Sequence, residues 1–233
     1  MITLFKKELT YYFSNPVGYI VAILFAVFAN FLFVKDLFLR GDSSMRPFFD
    51  ILPWLFLIFI PALTMRIFAE EKRSNTIEIL LTLPIVEAVV VMAKFTALLT
   101  FSAVALLLTI SLPTTLMFVG RLYLPTIAIS YFGAFLLSAV FVSISMFFSS
   151  LTKNQIVAFL LSILTIFFLI IAGGDFLVSF VPRFILENLN SFSPLYHYGS
   201  FLKGLIDLRS VLYFLSLTVL FIFLTTINIE RRD

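Results

Sequence analysis

The chain's single histidine, His197, has Ser193 and Ser200 nearby, the one place where a serine–histidine hydrolase could be assembled. Neither serine stands in a recognisable nucleophile context. His197 reads instead as a polar tip at a membrane interface, with Tyr196 and Tyr198 as belt aromatics. One histidine cannot build a histidine metal cluster. The absence of cysteine removes thiolate ligands, cysteine nucleophiles and disulfides. The eight glycines are dispersed and none opens a G-x-x-x-x-G-K-[ST] loop, so the chain cannot cradle a nucleotide by that route. That leaves residues 68–85, FAEEKRSNTIEILLTLPI, where Glu70, Glu71, Lys72 and Arg73 stand in a row before a short apolar run. Asn75 is placed to cap a helix and Glu78, three residues on, to close a capping box. The spacing predicts a helix from Thr76 to about Leu83, stopped by Pro84. Eight residues do not hold a helix in water without packing. At about 100° per residue Ile77, Leu80 and Leu81 share a face, and Ile79 and Leu83 widen it to roughly 200°. A helix resting on lipid or on its own chain needs one apolar stripe; this one has enough for two docking surfaces.

The elements that must position this segment follow from composition. The 233 residues are 61% hydrophobic and 12% charged, against about 25% charged in soluble domains. The mean hydropathy is +1.12. This is an all-α integral membrane protein, because runs this long and this apolar cannot alternate as barrel strands do. Six spans are expected, at about 17–34, 47–65, 95–119, 126–150, 155–172 and 210–227, within a single domain covering 1–233. Pro53, Pro61 and Pro113 fall inside spans, where neighbouring helices tolerate kinks. Ala134, Ser138, Ser145 and Ser149 recur along one side of the fourth span, a pattern of close helix packing. Segment 173–209 carries apolar stretches too short to cross, consistent with a re-entrant or outer-leaflet helical hairpin.

Ahead of the first span, Ile2, Phe5, Leu9 and Tyr12 alternate with Lys6, Lys7, Glu8 and Thr10 at helical steps. Residues 1–15 therefore read as an amphipathic interfacial helix ending near Asn15-Pro16. The following apolar run is too long for a signal-peptide core and reads as a retained span. With both termini cytoplasmic, nine basic residues lie inside (Lys6, Lys7, Arg66, Lys72, Arg73, Lys94, Lys153, Arg231, Arg232) and seven outside. That is a narrow vote under the positive-inside rule. No ionisable residue sits mid-span, which weighs against a proton- or ion-coupled secondary transporter. The scattered charge, net +3, offers no nucleic-acid surface.

The stretch PALTMRIFAEEKRSNTIEILLTLPI resembles the second span and first cytoplasmic loop of ABC-2-type permeases, the transmembrane subunits of one exporter-like branch of ATP-binding-cassette transporters. It is most similar to the gliding-motility-type permeases, and SPLYHYGSFLKGLID (193–207) is similar to the segment before their last span. The branch has Gly where this chain has Asn75. The resemblance implies a non-catalytic permease of the inner (cytoplasmic) membrane, acting with a second copy or a related permease. It also implies two ATPase subunits that bind ATP and magnesium in trans, and export as the direction of transport. It makes 70–84 the cytoplasmic coupling segment, with Glu70, Glu71, Asn75, Ile77, Glu78, Ile79, Leu80, Leu81 and Leu83 as the coupling residues. A membrane scaffold borrowing the same ATPase for force transmission remains the alternative on sequence alone.

Overall fold

The computed structural model describes residues 2–40, 44–76, 86–118, 122–172 and 192–230. Every regular element among them is helical. Helix α1 (Ile2–Ser14) meets α2 (Pro16–Arg40) at Asn15, where proline restarts a helix without needing its missing N–H. Gly18 is required at this corner, because a Cβ there would collide with the carbonyl of Tyr12. A helix over Ile2–Ser14, ending at Asn15-Pro16, is thus found.

Helix α3 (Arg46–Thr64) passes through Met65 into α4 (Arg66–Arg73). The charges Glu70–Arg73 are therefore a helical continuation of the second apolar helix and not a loop between spans. The sequence shows why: Ile67, Phe68 and Ala69 are buried, so this face still has a core to pack on. Helix α5 (Glu87–Leu107) starts about two turns before the expected boundary at 95. Lys94, expected as a loop charge, lies inside it. A 3-10 turn (Leu108–Ile110) and α6 (Ser111–Leu116) follow. Then come α7 (Leu124–Leu151), α8 (Gln155–Ile171), α9 (Pro194–Leu202) and α10 (Leu208–Glu230). Asn154 caps α8, its side chain accepting from the Ile156 N–H at 2.9 Å.

Among the described residues, five helical stretches are long and apolar enough to cross a membrane: Gly18–Lys35, Arg46–Arg73, Glu87–Leu116, Leu124–Leu151 and Leu208–Glu230. The expected fifth span, α8, is a 17-residue apolar helix. At 1.5 Å per residue it reaches roughly 25 Å, a little short of the ~30 Å hydrocarbon core.

Helix α7 is the centre of the bundle and packs on α3, α4, α5, α8, α9 and α10. Small residues make this possible. Ala134, Ser138, Ser145 and Ser149 are all fully buried, as the expected packing stripe requires. Gly133 lies against Phe201 of α9 so closely that an added Cβ would stand 2.6 Å from that ring's Cβ and Cγ. Outward stripes such as Ile23, Val27 and Phe31 on α2, or Leu212, Val219 and Phe223 on α10, remain exposed, as a surface facing lipid must.

Two of the three intrahelical prolines have a dedicated remedy. Pro53 cannot donate to the carbonyl of Phe49, and the Tyr198 hydroxyl donates to that oxygen at 3.3 Å. Pro113 likewise cannot donate to the carbonyl of Thr109, inside the 3-10 turn, and the Tyr131 hydroxyl donates to that oxygen at 3.2 Å. Tyr198 is thus buried in the bundle and not a belt aromatic. Desolvation, and then the Asp50 charge, raise its phenol well above the ordinary value, so it stays a donor. Of the expected 173–209 hairpin, α9 lies within the described residues, while 173–191 lie outside them.

Candidate functional site

At one end of the bundle α4 projects from the joint at Met65. The first-turn N–H groups of a helix lack intrahelical partners, and here no side chain of the local sequence supplies one. Ser149 of α7 does so from across the bundle. Its Oγ accepts from the N–H groups of Phe68 and Ala69, both at 3.2 Å, and donates to the Met65 carbonyl at 2.9 Å. On the other side of the joint, the Tyr12 hydroxyl of α1 donates to the Leu63 carbonyl at 3.5 Å. Burial, and then the Glu8 carboxylate, raise the Tyr12 phenol far above its ordinary value, so this group too remains a donor.

The far end of α4 closes in a manner that explains Asn75. Its backbone is left-handed, φ 55°, the only positive φ outside glycine among the described residues. It therefore occupies the position after the Ser74 C-cap, where glycine is usual and asparagine the next best choice. Ser74 and Thr76 complete the closure: the Ser74 hydroxyl donates to the Glu70 carbonyl at 2.9 Å and the Thr76 hydroxyl to the Glu71 carbonyl at 3.4 Å. Asn75 ends the preceding helix and turns the chain into the apolar segment. The remaining coupling candidates, Ile77, Glu78, Ile79, Leu80, Leu81 and Leu83, lie outside the described residues, as does the capping box that would use Glu78.

The two candidate carboxylates have distinct surroundings. Glu70 forms an i,i+4 pair with Arg66 at 2.8 Å, partly open to solvent. Glu71 turns inward to Lys94 of α5, whose ammonium is 2.6 Å away. Lys94 is 1% exposed. Its three donors are fully used, by Glu71 Oε1, by Glu8 Oε1 of α1 at 3.0 Å and by the Ile67 carbonyl at 3.4 Å. The Phe68 ring lies below, 5.4 Å from the ammonium to its centroid. Sequence reading missed this residue because its partners lie far along the chain; the only signal was a lysine one step before an apolar run. Beside the cluster opens a cleft of about 280 Å³ lined by Lys7, Tyr11, Arg66, Glu70, Ser74 and Thr76, with Glu8, Glu71 and Lys94 at its wall.

At the opposite end, His197 stacks on Tyr213 with centroids 4.1 Å apart and its Nδ1 lies 3.2 Å from the Ser210 hydroxyl. Ser193, offered above as a conceivable nucleophile, spends its hydroxyl on the Leu195 N–H at the start of α9. No group of three or more His, Asp or Glu residues able to hold a metal occurs among the described residues.

No curated protein matches the chain. The sequence model of the family described as "ABC-2 family transporter protein" matches residues 44–233, which hold everything from α3 onward. An all-helical bundle with several membrane-length apolar helices, matched over most of its length, places the chain in the ABC-2 family, as a multi-pass permease component of an ATP-binding-cassette transporter.

Proposed function

We propose that the chain is the exporter-type permease of a complex in which two copies, or this chain and a related permease, work with two ATPase subunits. ATP and magnesium are bound by those partners. Residues 70–84 carry their movement to the spans. In this reading the chain crosses the inner membrane six times, α8 included. Residues 66–90 and both termini are cytoplasmic, and 35–46 and 173–209 face outward.

The observation that supports it most is the Glu71–Lys94 contact. A buried ion pair adds little net stability once desolvation is counted, but it is exacting about geometry. A linker between two spans has no use for one. A segment that must move α5 when it is itself moved does. Glu70 is held by Arg66 and Asn75 turns the chain out of α4; in this reading Ile77, Ile79, Leu80, Leu81 and Leu83 then meet the ATPase.

The test is topological and energetic together. A cysteine introduced at Ser74 of this cysteine-free chain should react with impermeant maleimide only in inverted vesicles. The chain purified alone should not hydrolyse ATP, whereas the complex recovered from membranes should. Labelling of position 74 from outside intact cells, or turnover by the isolated chain, would refute the reading.

A further inference from the structure

Helices α1 and α2 precede the matched residues 44–233, and nothing above assigns α1 a role beyond lying at an interface. From the contacts it makes, we infer that α1 is itself part of the moving unit, with Lys94 as the positioning residue that ties it to α4.

Three facts carry this. An ammonium has three donors, and Lys94 spends them on two elements at once: one on α1 through Glu8, two on α4 through Glu71 and the Ile67 carbonyl. Glu8 is the one charged residue of α1 that is buried, with a side chain 10% exposed, whereas Lys6 and Lys7 point outward. Tyr12, one turn further along the same face, reaches the Leu63 carbonyl just before the Met65 joint. So α1 holds α4 at two levels, one at the joint and one a turn beyond it. A helix that only floated at the interface would keep Glu8 in water. The two carboxylates differ: Glu71 makes the shorter contact to Lys94, 2.6 Å, and leaves its Oε2 buried with no partner among the described residues, while Glu8 reaches the same ammonium at 3.0 Å from α1. When the coupling segment shifts, α1 and the start of α5 shift with it.

The inference rests on the coupling reading above, so its test separates the two. Spin labels on introduced cysteines at Thr10, Arg73 and Tyr123, taken in pairs, report distances in the membrane-derived complex with and without magnesium and a non-hydrolysable ATP analogue. All three sites are exposed, and Tyr123 lies just before α7, away from the cluster. The 10–73 distance should be narrow and unaffected by nucleotide, while 10–123 and 73–123 both change. Lys94→Met should broaden 10–73 and abolish the nucleotide response of 10–123. Glu8→Gln, which preserves the Lys94–Glu71 contact, should do the same and carries the test if the first variant does not fold. A response at 73–123 with none at 10–123 in the unaltered chain would overturn this inference and leave coupling intact. So would a 10–73 distribution indifferent to both variants. No response at either distance would overturn both.

Discussion

Replacing Ser149 by alanine removes one hydroxyl and disconnects three backbone groups. The N–H groups of Phe68 and Ala69 lose their acceptor and the Met65 carbonyl loses a donor. Phe68 and Ala69 are wholly buried, so water cannot take over. Each buried donor left unmatched costs about 1–3 kcal/mol. If the joint relaxes enough to rescue one of them, Ser149→Ala should destabilise by about 2–4 kcal/mol. Ser143 is the control. It is equally buried on the same helix, but its hydroxyl only donates to the Val140 carbonyl of that helix. Ser143→Ala strands nothing and should cost less than about 1 kcal/mol. Equilibrium unfolding in mixed micelles, followed by the fluorescence of the single tryptophan, Trp54 of α3, reads both. Ser149→Thr, which retains the hydroxyl, should recover much of the loss. Equal costs for the two alanine variants would show that the α3–α4 joint is not fastened from α7.

The proline remedies predict a specific non-additivity. Tyr198→Phe should cost about 1–2 kcal/mol by stranding the Phe49 carbonyl. Adding Pro53→Ala supplies an N–H four residues on and should return about 1 kcal/mol, so a strictly additive double-mutant cycle refutes the pairing. Gly133→Ala should destabilise by about 1–3 kcal/mol because its methyl group meets Phe201. An unchanged unfolding midpoint would mean that α9 can move away from α7.

Much of the frame was legible before any coordinates. Long uncharged runs placed the apolar helices, and Asn15-Pro16 marked a corner through chemistry local to the chain. What could not be read depends on partners far apart in sequence. Lys94 looked like a loop charge because a lysine is tolerated on the buried face of a helix only with counter-charges, and these sit 86 and 23 residues away. Tyr198 looked like an interfacial aromatic because the carbonyl it serves is 149 residues distant. A signal for it did exist: each intrahelical proline announces one carbonyl in need of a donor, and a tyrosine is long enough to supply it. Asn75 was expected as the N-cap of the helix after it, whereas its left-handed backbone follows the C-cap of α4. That backbone, which closes α4 ahead of it, becomes evident only once α4 is known to continue through the charged run.

The central claim is that the apolar segment after Asn75 grips a separate ATPase, and one pull-down tests it most directly. Leu81→Asp and Leu83→Asp place a charge on opposite flanks of the 76–83 arc, where burying it unpaired costs several kcal/mol. The tagged chain and its co-purifying ATPase are recovered from membranes in parallel for both variants and the unaltered protein. The account expects one variant to insert and pair normally yet lose the ATPase, and the other to disturb the permease's own packing and lower its yield. Retention of the ATPase by both variants, with hydrolysis in the complex unchanged, would contradict it.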